Sequence, residues 1–213
     1  MPEEKETRKK LQESARAEFM EKGFLSASLR NICKRAGVTT GALYCFFKDK
    51  DDLFVSLVKE PLERINAIML EHYSGERENA ADGSLLEMDS SDDYEACMAI
   101  IHEMYHHREE FLLLLTRAQG TSLEHAIDSI VEISGKHYRT LADAMQETLH
   151  CAPVADETVH WLAHMQIDIF IYMITHIPNE EEAAVYMQEA VRFMEYGWFG
   201  MFGVTHSQKN REE

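Results

Sequence analysis

Residues 29–47 read LRNICKRAGVTTGALYCFF. Two short stretches of apolar periodicity lie on either side of Gly37. In the first, Leu29, Ile32, Cys33 and Ala36 recur at spacings of three and four, which lines one face of a helix. Ser28 stands just before it and can cap its first turn. Gly37 stands just after it and can take a positive φ where the chain reverses. Thr39 can cap a second short helix that runs to about Phe46. Cys33 offers a small side chain where the two helices would cross, and Val38 and Leu43 would fill the corner from the second helix. This is the spacing a helix-turn-helix needs, a stiff pair whose second helix can enter a major groove about 12 Å wide.

The flanking sequence extends the helical pattern. Residues 4–22 carry Leu11, Ala15, Phe19 and Met20 on one face, and Gly23 follows. Asp49, with Asp52 three residues on, opens a helix from Lys50. Pro61 falls inside the continuing pattern and is expected to kink or interrupt it. The polar stretch 74–91, with two glycines, reads as a mobile loop. Further helices are expected at 92–106, 108–118, 122–149 and 157–176. The last helix opens at Asn179, followed by three glutamates, and runs to about Phe202. No stretch alternates with period two. The expected class is all-α: an N-terminal three-helix helix-turn-helix domain over 1–49, and a larger helical regulatory and dimerisation domain over 50–213.

Composition agrees. Of 213 residues 45% are hydrophobic, and only 4 are proline and 10 glycine, against 12 methionines. That excludes a mainly disordered chain and disfavours a loop-rich β protein. The net charge of −17 speaks against nucleic acid, but its distribution does not: residues 1–60 hold 12 Lys and Arg against 10 Asp and Glu, whereas the rest hold 9 against 28. A near-neutral head with basic clusters thus joins a strongly acidic body. The opening residues lead into no apolar segment, and the apolar run 161–177 is short and interrupted by His164, Asp168 and His176. Four cysteines stand far apart. A cytoplasmic protein with reduced thiols and no membrane partner is expected.

The head resembles the TetR family of transcriptional regulators. The resemblance covers roughly residues 9–58 and rests on Phe19, Gly23-Phe24, Ser28, Ile32, Ala36-Gly37-Val38-Thr39, Gly41, Leu43-Tyr44, Phe47, and Lys48-x-Lys50 followed by Asp51-Asp52-Leu53-Phe54. It implies a homodimer that binds a palindromic double-stranded DNA operator, with a variable C-terminal domain that takes a small effector and releases the DNA. Carried over by position, the DNA-binding residues would be Arg30, Thr39, Thr40, Gly41, Tyr44, Cys45, Phe46, Lys48 and Lys50. Tyr44 and the two lysines suit phosphate, and Arg30 suits phosphate or a guanine edge. Members often carry His, Tyr or Trp where this chain has Cys45 and Phe46, so apolar contact and DNA shape would matter more here.

A competing motif lies at 102–106, HEMYH, which matches the H-E-x-x-H of zinc proteases. With Glu124 and His125 downstream it defines the alternative of a metal-dependent hydrolase. Such enzymes hold substrate along a sheet edge, and no strand is legible. The sequence therefore implies no enzyme, cofactor or bound metal. The residues from which an effector site would be drawn are His102, His106, Phe111, His164, Asp168 and Tyr172. The competing reading of the aromatics is ordinary core.

Overall fold

The computed structural model describes residues 2–82 and 90–204. Among these, nine helices are formed: α1 (Pro2–Ser26), α2 (Leu29–Ala36), α3 (Thr40–Leu43), α4 (Lys50–Asp82), α5 (Ser90–His106), α6 (Arg108–Arg117), α7 (Ala126–Leu149), α8 (Asp156–His176) and α9 (Glu180–Met201). The chain folds into two compact units, the first comprising Met1–Arg64 and His107–Ile127, the second Ile65–His106 and Asp128–Glu213.

In the first unit, Leu11, Ala15 and Phe19 of α1 are fully buried, as their spacing requires. Phe19, Phe24 and Phe54 form a triangle of rings with centres 5.2–5.9 Å apart, two of the three pairs edge-on. Such contacts add about 0.5–1.5 kcal/mol each beyond burial. Gly23 is non-helical (φ 73°, ψ 163°) and interrupts α1 before its last turn. Leu113, Leu114 and Ala118, from α6 and just beyond it, join the same core. Arg16 on α1 pairs with Glu110 on α6 at 2.6 Å. The unit therefore takes in a segment that lies far along the chain from the helix-turn-helix.

The second unit is built from the rest of α4 with α5, α7, α8 and α9. Its interior includes Ile101, Val131, Ala142, Met145, Ala163, Met173, Ile174, Ala183 and Met187. Tyr105 on α5 donates to the Ile177 carbonyl at 3.0 Å, which ties α5 to the end of α8. Asn179 caps α9 by accepting the Glu182 N–H at 2.9 Å, as the sequence suggests. No described helix is long and apolar enough to cross a membrane.

Three local expectations are revised. Pro61 lies buried inside α4 without ending it. It removes one backbone donor, but Leu57 and Val58 before it and Leu62 after it are anchored in the first core. Residues 74–82, expected as loop, continue α4, and α5 already begins at Ser90; the expected loop between, 83–89, lies outside the described residues. One glycine costs a helix about 1 kcal/mol. Here Glu, Arg and Ala around it are strong helix formers, and Tyr73 and Ala80 are packed. The helix expected from 122 starts at Ala126, because Thr121 and Glu124 hold the preceding residues in turns.

Candidate nucleic-acid interface

The helix-turn-helix is fixed from both ends of each helix. Ser28 caps α2 by accepting the Asn31 N–H at 3.4 Å. At the other end Gly37 is left-handed (φ 70°), with its N–H on the Lys34 carbonyl and the Val38 N–H on the Cys33 carbonyl. That pair of bonds is the Schellman closure, which satisfies the last carbonyls of a helix. Thr39 then caps α3 by accepting the Ala42 N–H at 3.1 Å. Leu43 and Phe47 are buried in the head core, so they anchor the two sides of the turn Tyr44–Cys45–Phe46.

Two polar contacts hold α2 on α1. Ser14 donates to the Ile32 carbonyl at 2.8 Å. Glu18, only 1% exposed, accepts from Lys22 (2.9 Å), the Ser28 N–H (3.3 Å) and the Asn31 side chain (3.3 Å), with Arg35 at 3.7 Å from its other oxygen. Burial alone would raise the Glu18 pKa, but these hydrogen bonds outweigh it and hold the carboxyl below its ordinary value. Sequence reasoning passed over Glu18. The available signal was a carboxylate inside the apolar stripe of Leu11, Ala15 and Phe19.

Of the residues expected at DNA, Arg30, Thr39, Thr40, Gly41, Tyr44, Cys45 and Lys48 are all exposed, Tyr44 at 55%. Cys45 bonds weakly back to the Gly41 carbonyl at 3.5 Å. Phe46 is half-buried against the head core. The Thr40 hydroxyl is engaged with the buried Cys33 thiol, whose pKa burial raises. Lys50 has another occupation than a free phosphate anchor. Its ammonium donates to the carbonyls of Phe24 (2.7 Å), Ala27 (3.2 Å) and Leu25 (3.3 Å) and lies 4.5 Å from the centre of the Phe24 ring. It thereby closes the connection between α1 and α2.

The residues expected around an effector do not form one group. Phe111 belongs to the first unit, buried in its head. His102 is 69% exposed and meets Glu180 at 3.0 Å; His106 stands one turn on, its ring 6.2 Å away. His164 and Asp168 share a shallow cavity of about 310 Å³ with Trp161, Met165, Ile169 and Tyr186. Tyr172 stacks on His176 at 4.3 Å. Glu124 and His125, the third-ligand candidates of the hydrolase reading, belong to the first unit, whereas the HEMYH helix belongs to the second.

The match to known proteins falls on the same geometry. Residues 11–57 match the family model described as bacterial regulatory proteins, tetR family. The chain is 41% identical over 70 residues to the HTH-type transcriptional regulator AcrR of Shigella flexneri, a match that spans 33% of each chain. It is 25% identical over 196 residues to the HTH-type transcriptional repressor AcnR of Corynebacterium diphtheriae, covering 87% of this chain and 91% of that one. Among solved structures, a transcriptional regulator from Aquifex aeolicus has a similar fold, with a TM-score of 0.57 at 15% identity over 88% of this chain and 99% of that one. The TetR family regulator PfmR of Thermus thermophilus gives 0.50 at 20% identity over 85% and 97%. A capped helix-turn-helix on an all-helical body is the architecture these regulators share. Residues 11–57 thus carry the helix-turn-helix of the tetR family of bacterial regulatory proteins, and the chain as a whole is similar to a repressor of that kind, which lends the hydrolase reading of HEMYH no support.

Proposed function

We infer that this protein is a cytoplasmic repressor that binds a palindromic double-stranded operator as a homodimer and is released by a small-molecule effector. The observation that carries the reading is the outward set Arg30, Thr39, Thr40, Gly41, Tyr44, Cys45 and Lys48, exposed on a corner whose helices are capped and whose inner side chains are buried. Tyr44 and Lys48 donate to phosphates, and Arg30 reaches a phosphate or a guanine edge. Thr39, Thr40 and Gly41 lie near base edges, while Cys45 and Phe46 offer apolar contact. Lys50 acts through its charge and by fixing the α1–α2 connection.

Repression is supported by the similarity, over most of both chains, to a protein named as a repressor. Dimerisation is supported by the large apolar side chains left exposed on α8 and α9: Trp161, Tyr172, Val185, Phe193 and Tyr196. Two-fold pairing through these helices would present two α3 helices to the half-sites of a palindrome. Effector binding would draw on His102, His106, His164, Asp168 and Tyr172, and would weaken DNA binding by favouring the unbound state.

The test is DNA selection from a random pool, followed by fluorescence anisotropy on the recovered site. The Tyr44→Phe, Lys48→Ala double variant is expected to bind about 10- to 100-fold more weakly, with a shallower dependence on salt, and to melt as the parent does. Unchanged affinity removes this recognition surface, and a parent protein that recovers no DNA site removes the reading altogether.

A further inference from the structure

Outside the DNA-facing corner, one side-chain cluster of the second unit stands apart. Among the described residues, His72, Glu76 and Asp93 bring one ligand atom each to within 4.8 Å of one another. His72 and Glu76 are one turn apart on α4, and Asp93 comes from the first turn of α5. His72 Nε2 lies 3.1 Å from Asp93 Oδ1 and 3.3 Å from Glu76 Oε2.

These spacings constrain what sits there. An imidazole Nε2 carries at most one hydrogen, so it makes one straight hydrogen bond and cannot serve both carboxylates well. Two carboxylates that converge on one ring nitrogen can share a proton held there or a metal ion in its place, and the second is the arrangement of a coordination shell. Metal–ligand bonds of about 2.0–2.1 Å at tetrahedral angles place neighbouring ligand atoms about 3.3 Å apart, which is the spacing seen around His72 Nε2.

The surroundings are built in the same sense. His137 on α7 is 5% exposed, and its Nε2 is 2.7 Å from Glu76 Oε2. Its Nδ1 is buried without a hydrogen-bond partner. The short contact to Glu76 Oε2 takes up the His137 Nε2 position. Engaged in this way, the ring orients Glu76 without competing for a metal. The His137 ring is itself held by the Tyr73 ring, stacked at 3.8 Å with planes 7° apart. Tyr73 is pinned in turn, since its hydroxyl donates to Gln166 Oε1 and shares a hydrogen bond with Ser134 Oγ, both at 2.9 Å. A fixed second layer of this kind is what ligating carboxylates require.

We propose that His72, Glu76 and Asp93 form a binding site for one divalent first-row transition ion of the zinc class, with His137 and Tyr73 holding Glu76 in position. One imidazole and two carboxylates select such an ion over magnesium or calcium, which favour all-oxygen shells. Three protein ligands leave a further position open to water. The acidic balance of residues 61–213 raises the local concentration of cations. The two other histidine pairs of this unit, His102 with His106 and His160 with His164, lack a third converging ligand among the described residues.

The experiment is a titration of the metal-stripped full-length protein with Zn²⁺ and with Co²⁺, read by calorimetry and by the visible absorption of bound cobalt. One equivalent per chain is expected, with Mg²⁺ failing to compete. His72→Gln and Asp93→Asn should each weaken binding by more than about 100-fold, and His137→Phe by about 10- to 100-fold. Zinc should raise the melting temperature of the parent but not of the His72→Gln variant. His102→Gln with His164→Gln should bind as the parent does. X-ray absorption on the unmodified zinc complex guards against variants that fail to fold: one imidazole and oxygen ligands at about 2.0 Å are expected. No saturable binding, a preference for Mg²⁺, a shell with sulfur or with two imidazoles, or loss of binding in the His102/His164 variant overturns the proposal.

Discussion

A single carboxylate decides how firmly the recognition corner is mounted. Glu18 reaches from α1 to the Ser28 N–H and the Asn31 side chain at the start of α2, so it does for the helix pair what a cap does within one helix. Glu18→Gln keeps the shape and removes the charge. It is expected to destabilise the protein by roughly 1–3 kcal/mol at neutral pH, the range for weakening hydrogen bonds to a buried charged group. The pH dependence follows from the lowered carboxyl pKa. A carboxyl whose folded value lies below its unfolded value binds more protons when unfolded. Its stabilisation is complete above the unfolded value and is lost as pH falls through the folded one. Urea denaturation of parent and variant should therefore differ by a constant amount near neutrality and converge in acid. A gap that widens on acidification would show that the partners hold the neutral form instead.

The helix-turn-helix was legible as an element because its signals are local. Ser28, Gly37 and Thr39 announce caps and turns by residue type, and each takes the role its chemistry suggests. Gly37 offers a clean measurement. A Cβ built there would meet nothing within 4 Å, so Gly37→Ala introduces backbone strain without a clash. The expected cost is about 1–2 kcal/mol, that of placing an L-residue in the left-handed region. Thermal melting reads it directly, and helicity below the transition should stay the same. Other features were hidden for physical reasons. The polarity of residues 74–82 marks solvent exposure as readily as loop, and packing of Tyr73 and Ala80 resolves the ambiguity in favour of helix. With that stretch read as loop, the i,i+4 relation of His72 and Glu76 could not be seen. Lys50 looks like a phosphate anchor until the fold brings three carbonyls to it. The expected effector residues were chosen by helical spacing alone, which cannot tell that Phe111 lies in one unit and His164 in the other.

At the scale of the whole molecule, the proposed self-association and DNA binding would make opposite demands on charge. Each chain carries −17, so two copies repel, and apolar contact would have to overcome the repulsion in a dimer. Phe193 on α9 is 64% exposed. Phe193→Asp is expected to shift sedimentation at micromolar concentration from dimer to monomer and to lower operator affinity, while α1–α3 remain folded. Added salt should tighten association of the parent by screening and loosen its hold on DNA. A variant that still sediments as the parent would move the contact away from α9.

The first unit is not continuous in the chain: α6 and the turns after it, up to Ile127, complete the interior begun by α1. Protein synthesis runs from the amino end, so the ribosome exposes the helix-turn-helix long before it supplies the piece that finishes it. Until α6 emerges, the apolar surface that Leu113 and Leu114 will cover stays open. The newborn chain is then most vulnerable to aggregation and proteases, at just the stage when the helix-turn-helix residues have already been made.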